Sequence, residues 1–531
     1  MYLYNARIHT LDPEQPFANA LAIQGDRIVA VGDEAAIWAE YHATEEGQDM
    51  AGQVILPGLT DAHIHLEMYA LSLQWVNCET ETLQECLKRV AERARQTPPG
   101  EWILGHGWNQ NSWAEGFGSA ADLDIAAPHN PVYLTAKSYH AGWASGLALQ
   151  QAELSAATPD PLNGRLGRDA HGAPDGILFE SAMELVEKVV PAPSQEQAQA
   201  AIRLAQQALW RMGVTGVHDF DGRSCFMALQ SLHERGELSL RVLKGIPLPD
   251  LQYAIGLGLR SGFGDDLLRI GNVKAFMDGA LGPQTAAMIQ PFEGGLESSR
   301  GMLFLDAEQL FEHGRLAAQN GLPMAVHAIG DRANHEALLA FEHLRRFEQE
   351  NKIASQGGRL RHRIEHVQLL HPDDAGLLAQ LGVTASMQPI HATSDMLMAD
   401  RYWGQRAAYS YAWQSQLEHG ANLAFGSDAP VEVPNPFWGL HAAVTRRRQD
   451  GSPGELGWIP AQKIGLQQAL AAYTRGPAYA AGMEDRLGML KEGYLADLIV
   501  LAQDPFEVPP QELFSQEPQS TMVGGKWVYQ A

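Results

Sequence analysis

The chain has 531 residues, 45% of them hydrophobic and 19% charged, which is long enough for more than one folded unit and too apolar for a disordered one. Its 63 acidic residues against 38 basic ones give a formal net charge of −25 at pH 7. A surface that negative repels phosphate backbones and anionic lipids, so nucleic-acid and membrane-surface binding are not expected.

Residues 1–9 carry no basic stretch followed by a long apolar one, and no apolar run in the chain approaches the ~18 residues of a spanning helix. A cytoplasmic protein is expected. Residues 20–32 predict a hairpin turning at Gly25-Asp26. The far end reads alike, with a strand over 493–501 and a second hairpin over 522–529. Strands at both ends predict a small β-domain in which the two ends meet. Between them, strands are expected in the run before His63 and over 213–220, 240–246, 269–276, 323–327, 361–366, 382–387 and 422–428. Alanine- and leucine-rich helices intervene, for example over 195–211 and 332–349. Eight strands alternating with helices predict a (β/α)8 TIM barrel. The stretch of about 72–194 is too long for a βα connection and predicts an inserted α+β unit over the barrel mouth. Cys78, Cys86 and Cys225 are odd in number and form no CxxC pair, which fits free thiols in a reducing compartment.

The chemistry begins at Leu56-Pro57-Gly58-Leu59-Thr60-Asp61-Ala62-His63-Ile64-His65. In a strand, residues i and i+2 share a face, so His63 and His65 project together and can hold one divalent ion. Alone, such a pair is a weak signal. In a TIM barrel, however, catalytic groups sit at the C-terminal strand ends. Five strand candidates end in metal-competent residues: His63 with His65, Lys274, His327, His366 and Asp428. Singly, His327 or His366 reads as a satisfied core histidine and Asp428 as a cap or turn residue. Their joint placement makes the metal site the better reading. A lysine in an apolar strand loses its proton more readily, and the neutral amine can take up carbon dioxide to give a bridging carbamate. The plainer role for Lys274 is a pair with Asp278 or with a substrate carboxylate.

These residues lie in motifs that resemble the metal-dependent amidohydrolase superfamily, most closely its YtcJ-like branch, which includes N-substituted formamide deformylases. The motifs are the run from Leu56 to His65, Val273-Lys274-Ala275-Phe276-Met277-Asp278-Gly279, Val326-His327-Ala328-Ile329-Gly330-Asp331, Arg363-Ile364-Glu365-His366, Gly426-Ser427-Asp428-Ala429-Pro430 and Tyr473-Thr474-Arg475-Gly476-Pro477. The resemblance implies a barrel over 56–71 and 195–484, a composite β-sandwich from 1–55 and 485–531, and the insertion over 72–194. It implies His63 and His65 on one ion, His327 and His366 on another, a carboxylated Lys274 between them, and Asp428 binding metal and moving protons. One or two divalent ions are expected, zinc first, with manganese, iron and cobalt also suited to such ligands. One departure is Ser145, which stands where the branch usually has asparagine a few residues after His140.

The expected reaction is hydrolysis of a non-peptide carbon–nitrogen bond, amide or N-formyl, by metal-activated hydroxide. Asp428 would take the water proton and return it to the leaving amine. A deaminase or cyclic-amide hydrolase on the same fold is the nearest alternative, and a catalytically silent binding protein the more distant one. Pocket candidates are Trp108, Asn109, His140, Asp278 and His391, with packed or loop roles nearly as good for Trp108 and His391. His218 reads either way, and Arg446-Arg447-Arg448 reads as a solvated helix face. The expected partner is a small-molecule substrate, with no nucleic acid, no membrane and at most a second copy of the chain.

Overall fold

The computed structural model describes residues 1–162, 164–354 and 358–531. Its central sheet has eight strands: β1 Leu59–Ile64, β2 Val214–Asp219, β3 Arg241–Pro247, β4 Leu268–Phe276, β5 Met324–Ala328, β6 Arg363–His366, β7 Thr384–Met387 and β8 Leu423–Phe425. They lie side by side in chain order, and every neighbouring pair is parallel. The sheet closes on itself where Asp428 N–H donates to the His63 carbonyl at 2.7 Å and His65 N–H to the Ala429 carbonyl at 2.8 Å. Gly426 permits that approach, because a Cβ there would stand 2.5 Å from His63 N. Strands buried on both faces read as unbroken apolar runs, which is why the barrel strands are visible in the sequence.

The helices follow their expected bounds closely, at Gln195–Arg211 and Asp331–Glu350. The first opens with a reciprocal cap between Ser194 and Gln197. The second buries Ala333, Ala337, Leu338, Phe341 and Leu344 against the barrel, the three-four spacing of an amphipathic face.

Between β1 and β2, strands from Val76–Asn77 to Pro174–Glu180 build a separate six-stranded mixed sheet. Its core is rich in tryptophan, with Trp108, Trp113 and Trp143 packed together. The two ends of the chain meet in a further six-stranded sheet, where Val54–Pro57 pairs with Leu498–Leu501. A four-stranded sheet carrying the Ala20–Gln24 and Arg27–Gly32 hairpin packs beside it through Leu3, Ile23, Ile28, Ile55, Leu498 and Met522. Buried Arg241 of β3 donates to Asp497 at 2.5 and 2.8 Å and ties these terminal sheets to the barrel. The three cysteines are free and buried. Among the described residues, no helix is long and apolar enough to cross a membrane.

One sequence reading is corrected here. Arg446 is not on a solvated face: it is fully buried after the helix Pro436–Thr445, its guanidinium 4.4 Å from the Trp413 ring and 5.0 Å from that of Trp458. It donates to the Trp458 and Tyr411 carbonyls at 2.6 and 2.8 Å. Arg448 is also engaged, donating to the carbonyls of Thr393 and Ser394.

Candidate metal centre

The C-terminal ends of β1, β4, β5, β6 and the segment after β8 converge on one point. The His63 ring centroid lies 4.9 Å from that of His366 and 5.7 Å from that of His65, and His327 lies 4.5 Å from His366. His63 Nε2 is 3.2 Å from Asp428 Oδ1 and 3.4 Å from Lys274 Nζ. His65 Nε2 is 3.5 Å from the same carboxylate oxygen. Ligand atoms of His63, His366 and Asp428 all fall within 4.8 Å of one another. The chain turns sharply at two of these ends, with His366 at φ 75° and Asp428 at φ 61°. Left-handed backbone of this kind is rare outside glycine and gathers at functional sites.

The donor set fits a divalent ion, because each imidazole commits one nitrogen to a protein acceptor behind it, while the second nitrogens of His63 and His65 face Asp428. His63 Nδ1–H donates to Glu365 at 2.7 Å and His65 Nδ1–H to Asp221 at 3.1 Å. His366 Nδ1–H donates to Gln388 Oε1 at 2.9 Å and His327 Nε2–H to the Gly279 carbonyl at 3.0 Å. Outer partners of this kind fix tautomer and ring orientation in metal sites. Burial holds His327 and His366 well below the usual histidine range, which favours the neutral imidazole that a metal ligand requires. Burial would raise Asp428, yet the neighbouring His63 and His366 hold it well below the carboxylate range.

Lys274 makes no pair with Asp278. Burial lowers its amine to about 8, against the opposing pull of Glu365 and Asp428, with the Phe220 ring 4.6 Å away. Roughly a tenth of such an amine is neutral at pH 7, against about one in 2,500 for an ordinary lysine.

Beneath the cluster lies a charged floor that sequence reasoning missed. Glu365 accepts from Arg363 as well as from His63. Arg363 also donates to His218 at 2.7 Å, to Ser386 and to the Ala62 carbonyl. All are buried, and Arg363 with His63 outweighs burial to keep Glu365 well below its ordinary value. The alternation of Arg363 and Glu365 around Ile364 was the available signal, since period two turns both inward.

A cavity of about 930 Å³ opens over this rim. Asn109, His140 and His391 line it. His140 Nδ1–H donates to Glu180 at 2.8 Å, and the carboxylate outweighs burial to raise the imidazole above its ordinary value. His391 Nε2 is buried without a partner, 4.0 Å from Asp428 Oδ2. Of the other two pocket candidates, one reaches the cavity and one does not. Trp108 reaches the cavity wall, but its indole is 1% exposed, donates to the Leu134 carbonyl at 2.9 Å and serves the insertion core. Asp278 does not line the cavity. It is fully buried, pushed up to about 7, and accepts from the backbone of Ala287, Ile329 and Gly330. Ser145 is likewise remote in role, capping the helix Gly146–Gln151 and bonding Val132 N–H.

Fold and rim together define a metal-dependent hydrolase of the (β/α)8 barrel class. The chain belongs to the Amidohydrolase family, whose sequence model matches residues 46–529. It is 33% identical to the Arabidopsis thaliana protein LONG AFTER FAR-RED 3, over 99% of this chain and 91% of that one. It is 30% identical to the putative amidohydrolase YtcJ of Bacillus subtilis, over 98% of each. The N-substituted formamide deformylase of Arthrobacter pascens is 27% identical over 100% of this chain and 98% of its own. Among solved structures, an uncharacterized metal-dependent hydrolase from Pyrococcus furiosus superposes with a TM-score of 0.75 at 28% identity, covering 95% of this chain and 99% of that one.

Proposed function

We propose that the protein hydrolyses a non-peptide carbon–nitrogen bond, with N-formyl and other small amides as the substrate class. The observation that carries this reading is the convergence of four imidazoles, one buried lysine and one carboxylate on a single rim, each imidazole oriented from behind. The likeness to a formamide deformylase over the whole chain supports the choice of bond.

In this reading His63 and His65 would hold one ion and His327 and His366 a second, with Asp428 and an Nζ-carboxylated Lys274 as the oxygen donors beside them. Zinc suits this donor set. When bound, the metal acidifies water and polarises a carbonyl. The chain's own part is to place and move protons. Asp428 is ionised at neutral pH and accepts the proton of the attacking water. Glu365 and Asp221 keep His63 and His65 turned toward the cavity. His391 Nε2, unpartnered and facing the same space, hydrogen-bonds the substrate. The cavity is large enough for a substituted amine and takes its polar contacts from Asn109 and His140.

The test is a panel of N-acyl and N-formyl amines offered to purified protein whose metal content is measured in the same sample. Turnover of N-formyl compounds with stoichiometric metal is expected. Asp428→Asn should lower that turnover by at least about 10³-fold with the fold intact. Near-normal turnover in this variant would remove Asp428 from the mechanism.

A further inference from the structure

Facing the ligand cluster, the insertion delivers a second polar pair that the proton transfer at Asp428 does not use. His140 and Glu180 stand at neighbouring ends of Ala141–Ala144 and Pro174–Glu180, strands that pair antiparallel with Ala141 opposite Phe179. The His140 ring centroid lies 6.5 Å from that of His327, on the wall of the cavity. Its Nδ1–H is committed to Glu180 Oε2 at 2.8 Å, which leaves Nε2 for the cavity. The other Glu180 oxygen accepts from Thr285 Oγ1 at 2.6 Å, and Thr285 in turn accepts from Ala280 N–H at 2.9 Å. The loop after β4 therefore clamps the carboxylate that orients the imidazole.

Imidazole turned by a clamped carboxylate is the geometry of an acid–base group with its orienting partner. The backbone around it is strained, with Tyr139 at φ 58° and Glu180 at φ 51°. Left-handed backbone at bulky residues is costly and persists where the surroundings impose it, most often at functional sites. Asp428 belongs to the barrel side of the cavity, 3.2 Å from His63 Nε2 and 3.5 Å from His65 Nε2. From there it can reach an attacking water. Asp428 and His140 both line the cavity, so each can exchange a proton with a molecule held there.

We propose that His140, oriented by Glu180, is the acid that protonates the departing nitrogen, so that barrel and insertion each supply one proton-transfer group. This rests on the carbon–nitrogen reading above. The attacking water gives one proton to Asp428 while its oxygen bonds to the carbonyl carbon. The carbon–nitrogen bond then breaks, its electron pair stays on nitrogen, and nitrogen takes the proton from His140 Nε2. Asp428 returns its proton to solvent, and His140 regains one through the open cavity. The sum is amide plus water giving amine plus carboxylic acid.

The test compares N-formyl anilides of graded aniline basicity with aryl formates, whose phenolates leave without a proton. In His140→Asn, kcat/KM on the anilides should fall about 10²–10⁴-fold, most for the most basic anilines, while aryl formates fall by less than about tenfold. Glu180→Gln should show the same pattern at smaller size, and the metal content of both variants should match the parent. An equal fall on both substrate classes, or an unchanged dependence on aniline basicity, overturns the acid role alone. A parent protein that cleaves no anilide overturns the carbon–nitrogen reading and the acid role with it.

Discussion

Replacing Glu365 by glutamine tests how the buried floor supports the rim. Glu365 is fully buried and carries the charge that balances Arg363, while the same carboxylate accepts His63 Nδ1–H at 2.7 Å. Glu365→Gln leaves Arg363 charged and fully buried, and removing one partner of a buried pair costs about 3–5 kcal/mol. It also weakens the acceptor that holds His63. Loss of such an outer partner lowers metal affinity about 10–100-fold, or about 1.4–2.7 kcal/mol. Urea unfolding of the metal-free protein reads the first effect, and chelator competition reads the second. The double variant Arg363→Met with Glu365→Leu separates them: removing both charges restores part of the stability, but His63 still lacks its acceptor and affinity stays low. Full recovery of metal affinity in the double variant, or an unchanged unfolding midpoint in Glu365→Gln, would refute the reasoning.

Four further outcomes are expected. Lys274→Met should abolish turnover and lower bound metal, and reconstitution of stripped parent protein should be faster with added bicarbonate; indifference to bicarbonate would count against the carbamate. Buried His362 has its folded value lowered by burial to about 4 despite Glu348, below the ~6.5 of an unfolded histidine. Its contribution to stability is therefore whole above about pH 6.5 and lost as pH falls toward 4, so His362→Gln should flatten the stability curve in that window, by on the order of 3 kcal/mol. Arg446→Met should be milder than most buried-charge removals, because burial already lowers that guanidinium to about 9, and a melting temperature drop no larger than a few degrees is expected by calorimetry. Gly525→Ala places a Cβ 2.2 Å from the Gly25 carbonyl at φ 73° and should release the C-terminal hairpin to limited proteolysis.

The barrel was legible because parallel strands buried on both faces leave long apolar runs, and the candidate ligands because they interrupt those runs at their ends. Val273-Lys274 and Val326-His327 are such interruptions. What supports the ligands was not legible. Glu365 meets His63 across 302 residues of chain, and Asp221 meets His65 across 156. Nothing local marks those partnerships. Arg446 was misread for the same reason: its tryptophan neighbours come from either side of it in the chain, Trp413 at the start of the helix Trp413–Glu418 and Trp458 twelve residues beyond it, so three adjacent arginines looked solvated. Asp278 looked like a pocket residue because it follows Lys274 at short range, whereas its three backbone donors arrive from two later segments.

The backbone bonds that join residues 63–65 to 428–429 have a consequence for how the molecule is made. A ribosome releases His63 and His65 more than three hundred and sixty residues ahead of Asp428, and Val54–Pro57 waits longer still for Leu498–Leu501. Through most of synthesis the first strand has an exposed margin, and the nascent chain holds a histidine pair without its counterpart. A chain that stalls short of residue 428 can neither shut its ring nor bring the two flanks of this rim together.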